Sequence, residues 1–310
     1  MLQNDTSDLR IREFVSHIHH LNAILMDSAQ KINQKYPRTG LKFSFATIYN
    51  RFAGDFMAES LLSVEKLRVS YFEREILHEI SFSVAAGEIL IVAGESGSGK
   101  STILKSIGGL LDKNASLSGK ILFDGLEITN LSDFERRKLA GEAIGYIFQN
   151  AGASFCPIRT VGEQIFESVR AHRAWNYEFF RERAEKLMRK LNLDAKTLDE
   201  YPFRLSGGMS QRVGILAATI LRPKLLLADE PTSALDQITR NDVVNELLSL
   251  RKRENLAIIL VTHDLSVAKR LADRILVLKR GKKIEFGTRE QIFDDPKAIY
   301  TRELIEAANL

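Results

Sequence analysis

From about residue 60 onward, short apolar runs alternate with longer segments of helical spacing. "LLSVEKLRV" and "ISFSV" alternate apolar with polar positions, the pattern of half-buried strands. "EILIVA" (Glu88–Ala93), "KLLLAD" (Lys224–Asp229) and "AIILVT" (Ala257–Thr262) are nearly continuous apolar runs. Such runs predict strands buried on both faces of a parallel sheet covered by helices. Residues 152–215 or so interrupt the alternation with charge-rich helical sequence such as "YEFFRERAEKLMRKLNL", which predicts a helical insert. "ILVLKRGKKIEFG" predicts a late hairpin turning through Arg280 and Gly281.

Residues 1–56 read differently. Ile11, Phe14, Val15, Ile18, Leu21 and Leu25 recur at helical spacing, with Thr6 and Ser7 as candidate caps, until "YPRTG" (Tyr36–Gly40) breaks the helix. Met57 opens a stretch that leads straight into strand-like sequence. The first 56 residues are therefore expected to be an appended helical arm or an over-long gene start. His17 and His20 share a helical face at i, i+3, but no further ligand is evident in the arm. An exposed helix face is the preferred reading.

Composition narrows the class. Hydrophobic residues make up 45% and charged residues 27% of the 310, an ordinary globular balance. The net charge of +4 suits an anionic ligand, but the basic residues are not clustered as a DNA-binding surface would have them. The single cysteine, Cys156, excludes a disulfide within the chain or a multi-thiolate metal site and points to a reducing compartment. No run approaches the ~18 apolar residues of a membrane span, and the start lacks the order of a signal peptide. Work at a membrane would need a partner.

Three constellations carry chemistry. "GESGSGKS" (Gly94–Ser101) follows an apolar strand and precedes "TILKSIGGL", the strand–loop–helix context of a phosphate loop. Gly94, Gly97 and Gly99 let the backbone curl so that successive N–H groups face one anion at a helix N-terminus. Lys100 reaches the outer phosphates and Ser101 offers a hydroxyl to Mg²⁺. "LLLADEP" ends a buried strand in Asp229 and Glu230, a carboxylate for the metal side and one to polarise an attacking water. His263 and Gln149 also follow strand-like runs, where ligands gather in such sheets. Taken alone, His263 is more often structural or exposed than catalytic, and Gln149 reads better as a polar loop residue. Tyr71 is a candidate to stack on a base, with Phe72 the alternative and a core aromatic the plainer reading. Finally, "RLSGGMSQRV" (Arg204–Val213) presents Ser206, Gly207 and Gly208 at a second helix start, an anion site without a lysine.

In order, Tyr71, "GESGSGKS", "IFQN", "LSGGMSQRV", "LLLADEP", "SALD" and "VTHD" together resemble the nucleotide-binding subunit of an ATP-binding-cassette (ABC) transporter over residues 61–304 or so. The resemblance implies an α/β P-loop NTPase fold with a mostly parallel core sheet, an antiparallel β subdomain and a helical subdomain at about 150–215. The ATPase domain would span 57–304 and a short tail 305–310. It implies ATP and Mg²⁺ as ligands, held by Tyr71, by Gly94, Glu95, Ser96, Gly97, Ser98, Gly99, Lys100, Ser101 and Thr102, and by Ser206, Gly207, Gly208, Gln211 and Asp236. Ser101, Gln149 and Asp229 would face the metal. Glu230 would be the general base, His263 the γ-phosphate switch and Gln149 the lid residue that senses the membrane partner. Two cassettes, identical or merely related, would pair head to tail, the signature turn of one closing over the ATP of the other. The partners implied are two permease subunits and, indirectly, a solute-binding protein, with no nucleic acid. The chain would lie at the cytoplasmic face of the cell membrane.

Finer features look like the importer branch that handles peptides and nickel. Pro157 and Gly162-Glu163-Gln164 match its pattern after the lid glutamine, while Phe155 and Cys156 depart. The tail keeps Tyr300 and Thr301 of that branch but lacks its His and Pro, and carries no cysteines for an iron–sulfur cluster. The expected activity is ATP hydrolysis coupled to uptake of peptides or nickel and metal chelates. The alternative is a non-transport ABC ATPase of the DNA-repair or translation type, which a single cassette with one cysteine fits badly. A non-catalytic binding module is disfavoured because Lys100, Glu230 and His263 are all present.

Overall fold

The computed structural model describes residues 60–233 and 235–308. The helical arm, its histidine pair and Met57 lie outside the described residues. Two sheets organise the domain. The first is antiparallel, ordered β2-β1-β4-β5, from β1 (Ser60–Tyr71), β2 (Arg74–Ala85), β4 (Ala115–Phe123) and β5 (Leu126–Glu127). The second, ordered β10-β9-β3-β8-β7-β6, is built from β3 (Ile89–Ala93), β6 (Ile144–Ile147), β7 (Leu225–Asp229), β8 (Ala257–Val261), β9 (Arg274–Lys279) and β10 (Lys282–Thr288). All its neighbours pair in parallel except β9 with β10, the hairpin expected at Arg280–Gly281.

The continuous apolar runs fill both faces of that sheet because side chains alternate along a strand. Ile89, Ile91, Leu226, Ala228, Ile258 and Leu260 pack on one side. Leu90, Val92, Leu225, Leu227, Ile259 and Val261 pack on the other, and all twelve are fully buried. The first face is covered by helices: α3 (Val161–Arg170), α4 (Tyr177–Lys190), α5 (Gly207–Thr219), α6 (Gln237–Glu254) and α7 (Leu265–Leu271) contribute Val161, Phe180, Val213, Val243 and Val267. The second face departs from the helix-covered sheet the runs suggested. It is roofed by α1 (Lys100–Gly108) and by the antiparallel sheet, through Ile103, Leu104, Val64, Leu67, Val69 and Ile121. Those half-buried strands bury their apolar side in the core, so the sheet replaces a helix layer. Among the remaining helices, α2 (Asp133–Leu139) follows the antiparallel sheet, and α8 (Arg289–Asp294) and α9 (Ile299–Ala307) close the chain.

Capping fixes the helix starts. Thr160 and Glu163 form a reciprocal capping box at α3, and Thr288 with Gln291 does the same at α8. Asn176 accepts the Phe179 N–H at the start of α4.

Candidate functional site

Four adjacent parallel strands end at one edge, in the order β3, β8, β7, β6. Past β3 comes the phosphate loop, past β8 His263, past β7 Glu230 and past β6 Gln149. Residues far apart in sequence therefore stand in a row set by the spacing of strands.

The loop after β3 demands glycine at its first position. Gly94 has φ +146, and a Cβ there would lie 2.1 Å from the Leu278 carbonyl oxygen of β9. At the tip, Gly97 is exposed and faces open space, with nothing within 4 Å of a would-be Cβ. Glu95 and Ser96 are exposed beside it, and Ser98 is buried. Gly99 caps α1 in a left-handed conformation. The Gly281 N–H donates to the Ser98 carbonyl at 2.9 Å, tying the loop to the β9–β10 turn.

Lys100 is buried and turns back on its own loop, donating to the carbonyls of Gly94 and Glu95, each at 2.8 Å. Burial lowers its pKa, opposed by the carboxylates of Glu230, Asp229 and Glu95. Ser101 donates its hydroxyl to Asp229 at 2.9 Å. Burial raises the Asp229 pKa, partly offset by that hydrogen bond. A desolvated carboxylate hydrogen-bonded to a hydroxyl is an oxygen-rich spot that a hard cation would neutralise, so these two residues fit Mg²⁺. Thr102, in the first turn of α1, is half-buried.

Glu230 is the centre of the arrangement. Its backbone is left-handed at φ 45, and its N–H donates to the Val261 carbonyl of β8 at 3.0 Å. Gln149 donates its side-chain amide to one carboxylate oxygen at 3.3 Å. His263 Nδ1 lies 3.1 Å from the other. The three sequence-predicted catalytic residues are thus brought into one cluster. Gln149 and His263 are exposed, while the Glu230 carboxylate is 17% exposed, so the carboxylate is held at a solvent boundary.

The second glycine-rich turn stands on another part of the surface. Ser206 caps α5, its hydroxyl accepting the Met209 N–H at 3.3 Å. Gly208 packs against α6, where a Cβ would meet Thr239 Cγ2 at 2.6 Å. Gly207 is exposed and faces open space, as Gly97 does. Asp236 caps α6, accepting from the Ile238 and Thr239 N–H groups at 3.0 Å and the Thr239 hydroxyl at 2.7 Å; these bonds lower its pKa. Gln211 is buried, and its amide nitrogen has no partner among the described residues.

Tyr71 is half-buried at the end of β1, its pKa raised by burial. Phe72, next in the turn, is 81% exposed. An apolar groove of about 710 Å³ opens on the β6 side, lined by Leu110, Phe134, Tyr146, Phe148, Phe155 and Ala217 among others.

Comparison with known proteins decides the family. The family model described as ABC transporter matches residues 77–233. The chain belongs to the ABC transporter family. As such the cassette is an ATP-binding ATPase. It is 39% identical, over 79% of this chain and 92% of the relative, to the metal-staphylopine import system ATP-binding protein of Staphylococcus aureus. It is 40% identical to the dipeptide transport ATP-binding protein of Escherichia coli, over 80% of this chain and 78% of the relative. Among solved structures, it matches a cassette captured as a dimer in a post-hydrolysis state with ADP and Pi. That match has a TM-score of 0.67 and 29% identity, over 74% of this chain and 98% of that one. A cassette of a Clostridium perfringens ABC transporter complex matches at TM-score 0.67 and 28% identity, over 81% and 94%.

Two contacts around the cassette's site escaped sequence reasoning. The Glu95 N–H donates to the Tyr300 hydroxyl at 3.3 Å. Arg212 of α5 joins Asp242 and Glu246 of α6, each at 3.0 Å. Arg212 stands inside the signature stretch, which was the available hint. The Tyr300 contact spans 205 positions and had no local signal.

Proposed function

We propose that the cassette drives uptake of peptide or chelated-metal cargo through separate permease subunits, as half of a head-to-tail pair. The observation that carries this is the Glu230 carboxylate bracketed by Gln149 and His263, beside an outward-facing phosphate loop, while the signature turn presents Gly207 to open space. The relatives named for import of dipeptides and metal-staphylopine support the cargo class and disfavour a non-transport ATPase. Among the described residues no helix is long and apolar enough to cross a membrane; as the ATP-binding part of an importer, the cassette would sit at the cytoplasmic face through its permeases. The apolar groove beside Gln149, with Phe134 and Phe148 exposed, is the surface we assign to them. A solute-binding protein would act on the far side. The cassette is taken as residues 57–304 with its helical subdomain at about 150–215.

Within the site each residue has a task. The N–H groups of Gly94 to Thr102 cradle the phosphates at the start of α1. Lys100 exchanges its two carbonyl partners for the outer phosphates. Ser101, Asp229 and Gln149 would hold Mg²⁺, whose charge offsets that of the phosphates. Glu230 takes a proton from the attacking water, general-base catalysis of the kind worth about 10²–10⁴ in rate. His263 holds the carboxylate oxygen opposite Gln149 and meets the terminal phosphate. Tyr71 stacks on the base. The partner copy's signature turn, with its Gln211 and Asp236, closes the site by offering a hydroxyl and backbone N–H groups rather than a cation.

Mixed pairs test this. With Lys100→Ala on one chain and a Ser206 change on the other, both lesions fall on one composite site and the second site keeps working. With both changes on the same chain, both sites fail. Equal residual ATPase in the two arrangements would refute the head-to-tail reading. Glu230→Gln on both chains should trap ATP in a stable dimer with turnover nearly abolished.

A further inference from the structure

The backbone of Glu95 is held at both ends. Its carbonyl accepts from Lys100 at 2.8 Å, and its N–H donates to the Tyr300 hydroxyl at 3.3 Å. Tyr300 belongs to α9, outside the ATP-binding machinery described so far. Its ring is itself fixed: the Lys279 ammonium sits 4.0 Å from the ring centroid, a cation–π contact. The segment leading into α9 is pinned by Glu285 of β10, whose carboxylate accepts the Lys297 and Ala298 N–H groups at 2.8 and 3.1 Å. The next residue, Thr301, is fully buried. A continuous set of contacts therefore runs from β10 through the tail helix to the first turn of the phosphate loop.

We propose that Tyr300 is a positioning residue for ATP: its hydroxyl holds the Gly94–Glu95 peptide in the orientation that the phosphate loop needs. The inference rests on the reading that Lys100 leaves the Glu95 carbonyl to reach the phosphates. Once it does, Lys100 has also left the Gly94 carbonyl, and the Tyr300 contact remains to fix the Gly94–Glu95 peptide, whose N–H it accepts. The same loop is tied on its other side by Gly281 to Ser98, so losing the Tyr300 tether loosens the opening turn without unmaking the loop.

The test uses the full-length chain with Mg²⁺ and a fluorescent ATP analogue, alongside steady-state ATPase assays. Tyr300→Phe keeps the ring and its Lys279 contact and removes only the acceptor oxygen. Nucleotide Kd and KM for ATP should rise roughly three- to tenfold, the scale of one net hydrogen bond, with kcat within about twofold. Lys279→Met, which frees the ring but keeps the hydroxyl, should give a smaller rise in the same direction. A wild-type Kd in Tyr300→Phe, or a fall in kcat as large as the rise in KM, would overturn the proposal. Lys100→Ala separates the two readings: if it binds nucleotide as tightly as wild type, the phosphate-loop reading itself fails and the proposal with it.

Discussion

Glu230, the general base proposed above, has a backbone that its side chain disfavours. At φ 45 a residue bearing a Cβ gives up about 1–2 kcal/mol relative to a right-handed or extended conformation. Glycine escapes most of that cost but brings about 0.5–1 kcal/mol of extra freedom to the unfolded chain. Glu230→Ala and Glu230→Gly both delete the carboxylate with its links to Gln149 and His263, so their difference isolates the backbone term. Glu230→Gly should be the more stable of the two by up to about 1 kcal/mol, or about 2–4 °C in melting midpoint for a domain of this size. Calorimetric or circular-dichroism melts of the two nucleotide-free variants measure it, with ATPase assays showing that neither turns over. If Glu230→Ala melts at or above Glu230→Gly, the strain assigned to this position is wrong.

Two further outcomes are expected. Burial pushes Glu246 up to about 7, against the pull of Arg212. The folded state then holds a proton that the unfolded chain, with an ordinary carboxylate, releases; the stability this confers is full below about pH 4.5 and is lost as pH rises through about 7. Glu246→Gln should therefore gain on wild type between pH 5 and 7.5 by a few kcal/mol at most, read by urea unfolding at both pH values; an unchanged difference would refute the shift. Gly94→Ala must place a methyl 2.1 Å from the Leu278 carbonyl, which should displace the phosphate loop, cost on the order of 1–3 kcal/mol and abolish nucleotide binding by titration. Wild-type affinity in that variant would show that the contact yields.

What the sequence made legible was whatever has a local period or a local order of residue types. Apolar runs such as "ILIVA" and "LLLAD" announce strands buried on both sides, and strand ends announce Lys100, Glu230 and His263. The covering of the second face was not legible, because the alternation in "LLSVEKLRV" says that one side is buried without saying against what. Nor was the left-handed turn at Glu230: a charged residue is not a marker of positive φ, and its N–H bonds to Val261 on a neighbouring strand that is distant in sequence. The Arg212 pairings with α6 and the Tyr300 contact depend on tertiary approach between segments that carry no mutual signal. Tyr300 belongs to a recognisable tail pattern, yet its partner Glu95 is set only by tertiary geometry.

The inward turn of Lys100 has one more consequence. With its ammonium on the carbonyls of Gly94 and Glu95, the side chain acts as a place-holder inside its own loop. The polar backbone keeps an ionic partner before any ligand arrives, and the loop has little freedom left to lose when one does. On the function proposed above, arrival of ATP would be an exchange of partners rather than a disorder-to-order transition. The penalty for shaping the loop falls in folding, and affinity for nucleotide is spared it.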